Sequence, residues 1–102
     1  MPESYEHKQL RGETATILEL NGWFVIHDYG DTSMPDIKAT RDSEEWLIEV
    51  EISGSNVERD LEQGAEIFVT TPDRIKEIEE KVEWKVPVVD IAGFRREVES
   101  RS

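Results

Sequence analysis

Two short segments in the first half of the chain alternate strictly between charged and apolar residues. They are Asp36-Ile37-Lys38-Ala39 and Ile48-Glu49-Val50-Glu51-Ile52, and the polar residues 41–44 between them are typical of a hairpin turn. Successive side chains of a strand point to opposite faces of the sheet, and residues two apart share a face at a spacing of about 6.6 Å. The alternation therefore predicts two paired strands with one apolar face, which enters a core, and one charged face.

The charged face of this predicted pair carries three carboxylates and one ammonium in a small area, those of Asp36, Glu49, Glu51 and Lys38. Neighbouring like charges destabilise a sheet unless something compensates them. A divalent cation with oxygen ligands, such as Mg²⁺ or Mn²⁺, would do so. An ordinary solvated sheet face, on which Glu and Lys are common, is the alternative, and the alternation alone leaves both interpretations open.

The pattern along the rest of the chain predicts one α/β domain. Its elements follow the order αβββαβαβ, with helices at 5–20, 57–63 and 72–83 and strands at 23–26, 36–40, 46–52, 65–70 and 86–92. Short loops predict an antiparallel meander for the first three strands, whereas the later helices predict crossovers that return parallel. We expect a mixed five-stranded sheet with flanking helices in a single domain over 1–102, with its core at about 8–92. The charged C-terminal tail, 94–102, is expected to be a short helix or frayed.

Composition excludes several classes of protein. The 102 residues include no cysteine, which excludes a disulfide scaffold, a thiolate zinc site and a cysteine nucleophile. The apolar runs are far shorter than the ~20 residues that span a bilayer, and the first residues lack the apolar stretch of a signal peptide. We therefore expect a soluble, cytoplasmic protein with no membrane partner.

The net charge of the chain is strongly negative. Twelve Lys and Arg residues against 24 Asp and Glu residues give a formal charge of −12. Such an excess is typical of a highly soluble protein, including one adapted to a salty cytoplasm, or it reflects acids gathered round a divalent cation. A protein that binds nucleic acid usually shows a basic patch, and the overall charge argues against one. A local positive rim is available from five cations: Lys8, Arg11, Lys38, Arg41 and Arg59.

Several other residues have a structural interpretation. His7 and His27 are too far apart in sequence for a local metal motif, and we interpret them as a surface residue and a strand-end residue. His27 and Tyr29 lie at the mouth of the loop before Pro35, where they would be placed to contact a substrate. The segment Ser53-Gly54-Ser55-Asn56 lacks the lysine of a phosphate-binding loop and is interpreted as a turn that leads into a helix N-cap.

Four short motifs lie in order along these predicted elements. They are Glu13 on the first helix, Pro35-Asp36 at the second strand, Glu49-Val50-Glu51 on the third strand and Gln63 on the helix that follows. The 13 positions from Asp36 to Glu49 suit a strand, a short turn and a second strand. In this arrangement the chain resembles the PD-(D/E)XK nuclease superfamily, which has the restriction-endonuclease-like fold. Several branches, including the archaeal Holliday junction resolvases, carry a glutamine on the same helix.

The resemblance implies a Mg²⁺- or Mn²⁺-dependent endonuclease that hydrolyses DNA phosphodiester bonds, on branched or damaged DNA. The small size of the chain favours a homodimer, because two cuts or a large substrate need two sites. Asp36 and Glu49 would bind the metal ion together with the backbone carbonyl of Val50, and Glu13 would support the ion directly or through water. Gln63 would contact the phosphate backbone or orient a catalytic residue. The ion would stabilise charge on the scissile phosphate and lower the pKa of an attacking water.

One position departs from the family pattern. The superfamily has a lysine two residues after the second acid, where this chain has Glu51. Glu51 would take a proton from the water or hold a second cation, or Lys38, two residues after Asp36, would supply the missing positive charge. Another interpretation is a catalytically inactive binding or assembly module that keeps the nuclease fold. A further one is a nuclease domain separated from a larger protein that supplies the DNA affinity.

Overall fold

The chain forms a mixed five-stranded sheet with helices on both faces. The computed structural model describes residues 4–27 and 35–101. The elements in chain order are α1 (Tyr5–Leu20), β1 (Phe24–His27), β2 (Ile37–Arg41), β3 (Glu44–Val50), α2 (Val57–Glu62), β4 (Ile67–Val69), a 3₁₀ turn (Pro72–Arg74), α3 (Ile75–Lys81), β5 (Val88–Val89) and α4 (Ile91–Ser100). The predicted α/β class is confirmed. None of the helices among these residues is long and apolar enough to cross a bilayer.

The five strands lie side by side in sequence order. β1, β2 and β3 pair antiparallel, with Ile37 opposite Ile48, and the tight turn between β2 and β3 has Asp42 in the left-handed region at φ 54°. β3 and β4 pair parallel, as do β4 and β5, because α2 and α3 carry the chain back to the same end of the sheet. The predicted meander and the predicted parallel returns are both confirmed.

The two faces of the sheet are covered unequally. α1 and α4 cover the apolar face of the hairpin, where Ile37 and Ile48 are fully buried. α2 and α3 pack on the opposite face around Phe68, and the described residues of this second cluster include none from β1 or β2. As a result, Phe24 and Ile26 on β1 are 68% and 40% exposed.

Helix α1 begins and ends where the sequence predicts. The side chain of Ser4 caps its first turn by accepting a hydrogen bond from the backbone N–H of His7 at 3.1 Å. The helix ends before Gly22, whose φ of 85° is the left-handed conformation that glycine adopts without strain. Because the cap fixes the first turn, it also fixes the backbone position of His7.

The C-terminal segment differs from the prediction. The expected strand 86–92 is reduced to Val88–Val89, and helix α4 follows at once because Asp90 caps it, accepting from the backbone N–H of Gly93 at 2.8 Å. Phe94 and Val98, one helical turn apart, are fully buried. The expectation that 94–102 is a charged tail outside a core of 8–92 is therefore wrong. The signal was an apolar stripe at helical spacing, which the surrounding charges obscured.

We predict that Phe94→Ala lowers the free energy of unfolding by about 3–5 kcal/mol, because the ring is fully buried and stacks on Trp46 with ring centroids 5.4 Å apart. Urea denaturation measures the change. The control is Arg95→Ala on the exposed face of the same helix, with an expected change within about 0.5 kcal/mol. Equal losses in the two variants would contradict the placement of α4 in the core.

Candidate metal centre

The β2–β3 hairpin brings Asp36 and Glu49 together at one end of the sheet. Asp36 immediately precedes β2 and Glu49 is the penultimate residue of β3. The backbone N–H of Val50 donates to Oδ2 of Asp36 at 3.1 Å, which ties the start of one strand to the end of the other. Glu49 is only 6% exposed. The predicted convergence of these two acids is what the strand register produces.

A third side chain, that of His7, enters the same place from the first turns of α1. Its Nε2 lies 2.8 Å from the carbonyl oxygen of Val50 and 3.1 Å from Oδ2 of Asp36. Since a carbonyl only accepts hydrogen bonds, Nε2 carries the proton and donates in this arrangement. His7, Asp36 and Glu49 each offer one ligand atom, and these three atoms all lie within 4.8 Å of one another. These three side chains could therefore hold a metal ion.

The interpretation of His7 as an ordinary surface residue is wrong. Its side chain is 21% exposed. A sequence signal did exist, because His7 lies three residues before Leu10, seven before Thr14 and ten before Ile17. These three residues form the buried face of α1, and His7 extends that face by one turn beyond the edge of the apolar core.

Burial and mutual repulsion set the protonation of the two acids. Burial raises the pKa of Asp36, but hydrogen bonds from His7, Glu49 and the backbone of Val50 lower it more, so this pKa is held below its usual range. Burial also raises the pKa of Glu49 well above its usual range, and the adjacent Asp36 raises it further. A protonated Glu49 that donates to the Asp36 carboxylate relieves the repulsion. A cation between them would relieve it in the same way.

Glu51 and Asp60 form a second pair of buried carboxyl groups beside the first. Oε1 of Glu51 accepts the backbone N–H of Gly54 at 2.7 Å and is 3.4 Å from the hydroxyl of Ser53. The side chain of Asp60, on α2, is 5% exposed. Burial, followed by the charge of Glu51, raises the pKa of Asp60 to about 7. Asp60 is not one of the predicted site residues. Its position three residues after the apolar Val57 nevertheless indicates an inward-facing position on α2.

The other predicted site residues are Glu13, Lys38 and Gln63. Glu13 is exposed on α1, because this helix packs on the apolar face of the hairpin and not over its charged face. Lys38 places its Nζ 3.0 Å from Oε2 of Glu45, with 35% of the side chain exposed. Gln63 is the half-buried residue that ends α2.

The predicted positive rim is only partly available. Arg41 stacks on the ring of Trp23 and contacts both Glu44 and the carbonyl of Arg101, so its guanidinium supports the fold. Arg59 remains 56% exposed, with its Nε 3.9 Å from Oδ1 of Asp60. The loop residues before Pro35, which include Tyr29, lie outside the described residues, and so does any contact they make with His27.

Comparison with models of protein families, with curated proteins and with solved structures finds no match to this chain. Its function must therefore be inferred from the arrangement of its own side chains.

We predict that Asp60→Asn stabilises the protein above pH 7. The folded state keeps the Asp60 proton up to about pH 7, whereas the ordinary pKa is 3.8, so ionisation destabilises the folded state as the pH rises through this interval. Asparagine cannot ionise and still donates a hydrogen bond to Glu51. The expected gain is about 1–3 kcal/mol at pH 8 and close to zero at pH 4.

Denaturant titrations at the two pH values measure this difference. Glu58→Gln, which neutralises an exposed acid on the same helix, is the matched control and should show a far smaller dependence on pH. An equal response of the two variants would mean that Asp60 ionises as freely as a surface acid.

Proposed function

We propose that this protein is a divalent-metal-dependent endonuclease with the restriction-endonuclease-like fold, hydrolysing DNA phosphodiester bonds. The observation that carries the proposal is the convergence of Asp36, Glu49 and the Val50 carbonyl at the end of the β2–β3 hairpin, with His7 beside them. The first three belong to the set of residues that the family resemblance names. They lie at one end of the sheet, where β3 also pairs in parallel with β4.

The donor set of this cluster fits a metal ion. Asp36 and Glu49 supply two carboxylates, Val50 supplies a carbonyl oxygen and His7 supplies an imidazole. A bound divalent ion would polarise the scissile phosphate and lower the pKa of a coordinated water. The protein holds the donors in place: Asp36 through the Val50 N–H, and Glu49 through its position in β3.

One observation favours the inactive alternative, a binding or assembly module that keeps the nuclease fold. Neither of the two replacements considered for the missing lysine is free of other contacts. Glu51 accepts the backbone N–H of Gly54, and Lys38 is paired with Glu45. Activation of a water would then depend mainly on the metal ion, since Oε1 of Glu51 is already bonded to the turn. The two proposals are separated by a direct assay of cleavage.

We predict that Asp36→Asn and Glu49→Gln each abolish cleavage of plasmid and four-way-junction DNA in Mg²⁺ or Mn²⁺. Each amide has nearly the shape of the acid but lacks the charge that a metal ion requires. The rise in thermal stability on adding metal should also disappear, a rise that amounts to about 2.7 kcal/mol for the wild-type chain when the ion is at a hundred times its dissociation constant.

The matched control for these variants is Glu77→Gln, which removes an exposed carboxylate from α3 and should change neither cleavage nor the metal-dependent stability. Metal-dependent stabilisation without cleavage of either DNA would support the inactive module. Cleavage that survives Asp36→Asn would sink the proposed metal centre.

We also propose that two copies associate through the open face of β1 and β2. Phe24 and Ile26 are exposed there, and their cross-strand neighbours are Thr40 and Lys38. The ammonium of Lys38 is balanced by Glu45, so these described residues of the face carry no net charge between them, in a chain of −12. Two such faces can meet without the repulsion that other acidic surfaces would create, whereas DNA would require a positive face.

We predict that Phe24→Ser weakens self-association at least about tenfold, because an exposed aromatic ring is the kind of residue that contributes most to an interface. Sedimentation over a range of concentrations measures it. Trp84→Ser, at a ring 68% exposed elsewhere on the protein, is the control and should leave association unchanged. A wild-type chain that sediments as a monomer throughout would contradict the dimer.

A further inference from the structure

We infer that His7 acts as a nitrogen ligand and makes this site select a transition-metal ion such as Mn²⁺ over Mg²⁺. The inference rests on the metal centre of the proposed function and extends it to the identity of the ion. It concerns His7, which is not one of the motif residues that the family resemblance places at the site.

The first step is the direction of the imidazole. Nε2 of His7 lies within hydrogen-bond distance of two oxygens that the cluster offers to a cation, 2.8 Å from the Val50 carbonyl and 3.1 Å from Oδ2 of Asp36. A neutral imidazole can carry its proton on either ring nitrogen. With the proton on Nδ1, the lone pair of Nε2 points toward the same two oxygens, and a cation between them would be bound by all three atoms.

The second step is the placement of His7 before any ion binds. Ser4 caps the first turn of α1 through the backbone N–H of His7, and the side chain is 21% exposed. Its position continues the buried stripe of the helix, and the two oxygen contacts of its Nε2 hold the ring in place. A ligand held in this way loses little conformational entropy when it binds a metal ion.

The third step is the chemistry of the donor set. Mg²⁺ prefers six oxygen ligands and keeps several of its waters, whereas imidazole suits first-row transition-metal ions. His7 should therefore add much to the affinity for Mn²⁺ and little to that for Mg²⁺. The neighbouring pair, Glu51 and Asp60, offers oxygen alone and would not produce the same preference.

The first test compares the binding of Mn²⁺ and Mg²⁺ to the wild-type chain and to His7→Gln by titration calorimetry. Glutamine places an oxygen close to the position of Nε2, so the site keeps its number of donors but loses its nitrogen. We expect the Mn²⁺ affinity to fall about tenfold or more and the Mg²⁺ affinity to change less than about threefold. Glu6→Gln, an exposed neighbour on the same turn, is the control and should leave both affinities unchanged.

The second test needs no substitution at His7. Pulsed electron paramagnetic resonance of Mn²⁺ bound to the wild-type chain should detect coupling to a directly bound ¹⁴N nucleus. The coupling should persist in His27→Gln and vanish in His7→Gln, which assigns it to one of the two histidines. Bound Mn²⁺ without nitrogen coupling, or an unchanged preference between the ions in His7→Gln, would overturn the inference.

These outcomes can be distinguished from the success or failure of the proposed nuclease function. A protein that binds Mn²⁺ through His7 and cuts neither plasmid nor four-way junction retains this inference and loses the proposed function. A protein that cuts DNA with the same preference for Mn²⁺ over Mg²⁺ in the wild-type and His7→Gln forms retains the function and loses the inference. A wild-type chain that binds neither ion overturns the inference as well.

Discussion

Two carboxyl groups that lie side by side, those of the half-buried Asp36 and the buried Glu49, are the constraint on which this structure depends. Each would be destabilising alone, because burial removes the water that an ionised acid needs. The β2–β3 register is what makes them tolerable, since it places the Val50 N–H and the His7 imidazole against Asp36. A slip of one residue in that register would exchange the two faces of the hairpin and put acids into the core beside α1. The fold and the site are therefore fixed by the same pairing.

Some of the positively charged residues of the chain stabilise the fold. Arg41 lies over the ring of Trp23, and Arg101 lies over the ring of Trp46. Those guanidinium groups contribute packing as well as charge. Little positive charge remains to neutralise the phosphates of a polyanionic substrate, and the affinity for DNA depends on that neutralisation. A nuclease built this way would bind its substrate mainly through the metal ion and the shape of the site, and only weakly at high salt.

Much of the fold could be predicted from the sequence because strand alternation reports burial directly. The division of β2 and β3 into an apolar and a charged face, and the convergence of Asp36 with Glu49, follow from residues two apart sharing a face. His7 and Asp60 were missed for a different reason. Each continues a helical stripe whose other members are mostly apolar, and single polar residues at such positions indicate a site only when the strand they face is known. The start of helix α4 was missed because its capping residue, Asp90, was assigned to a strand.

The glutamate at position 51 has a consequence for the chemistry that the family resemblance alone does not reveal. Replacing the expected lysine with glutamate changes the local charge by two units toward negative, and the bond from Gly54 to Glu51 indicates that this residue also stabilises the turn into α2. This change of two charge units is equal in size to the charge of one divalent ion. In the lysine-containing pattern the metal and the ammonium share the stabilisation of a phosphate. Under the proposed function the ion would have to supply it alone, and activity would then depend more steeply on occupancy of the site. A ligand such as His7, if it raises the affinity for the ion as we infer, would compensate in part for the missing lysine.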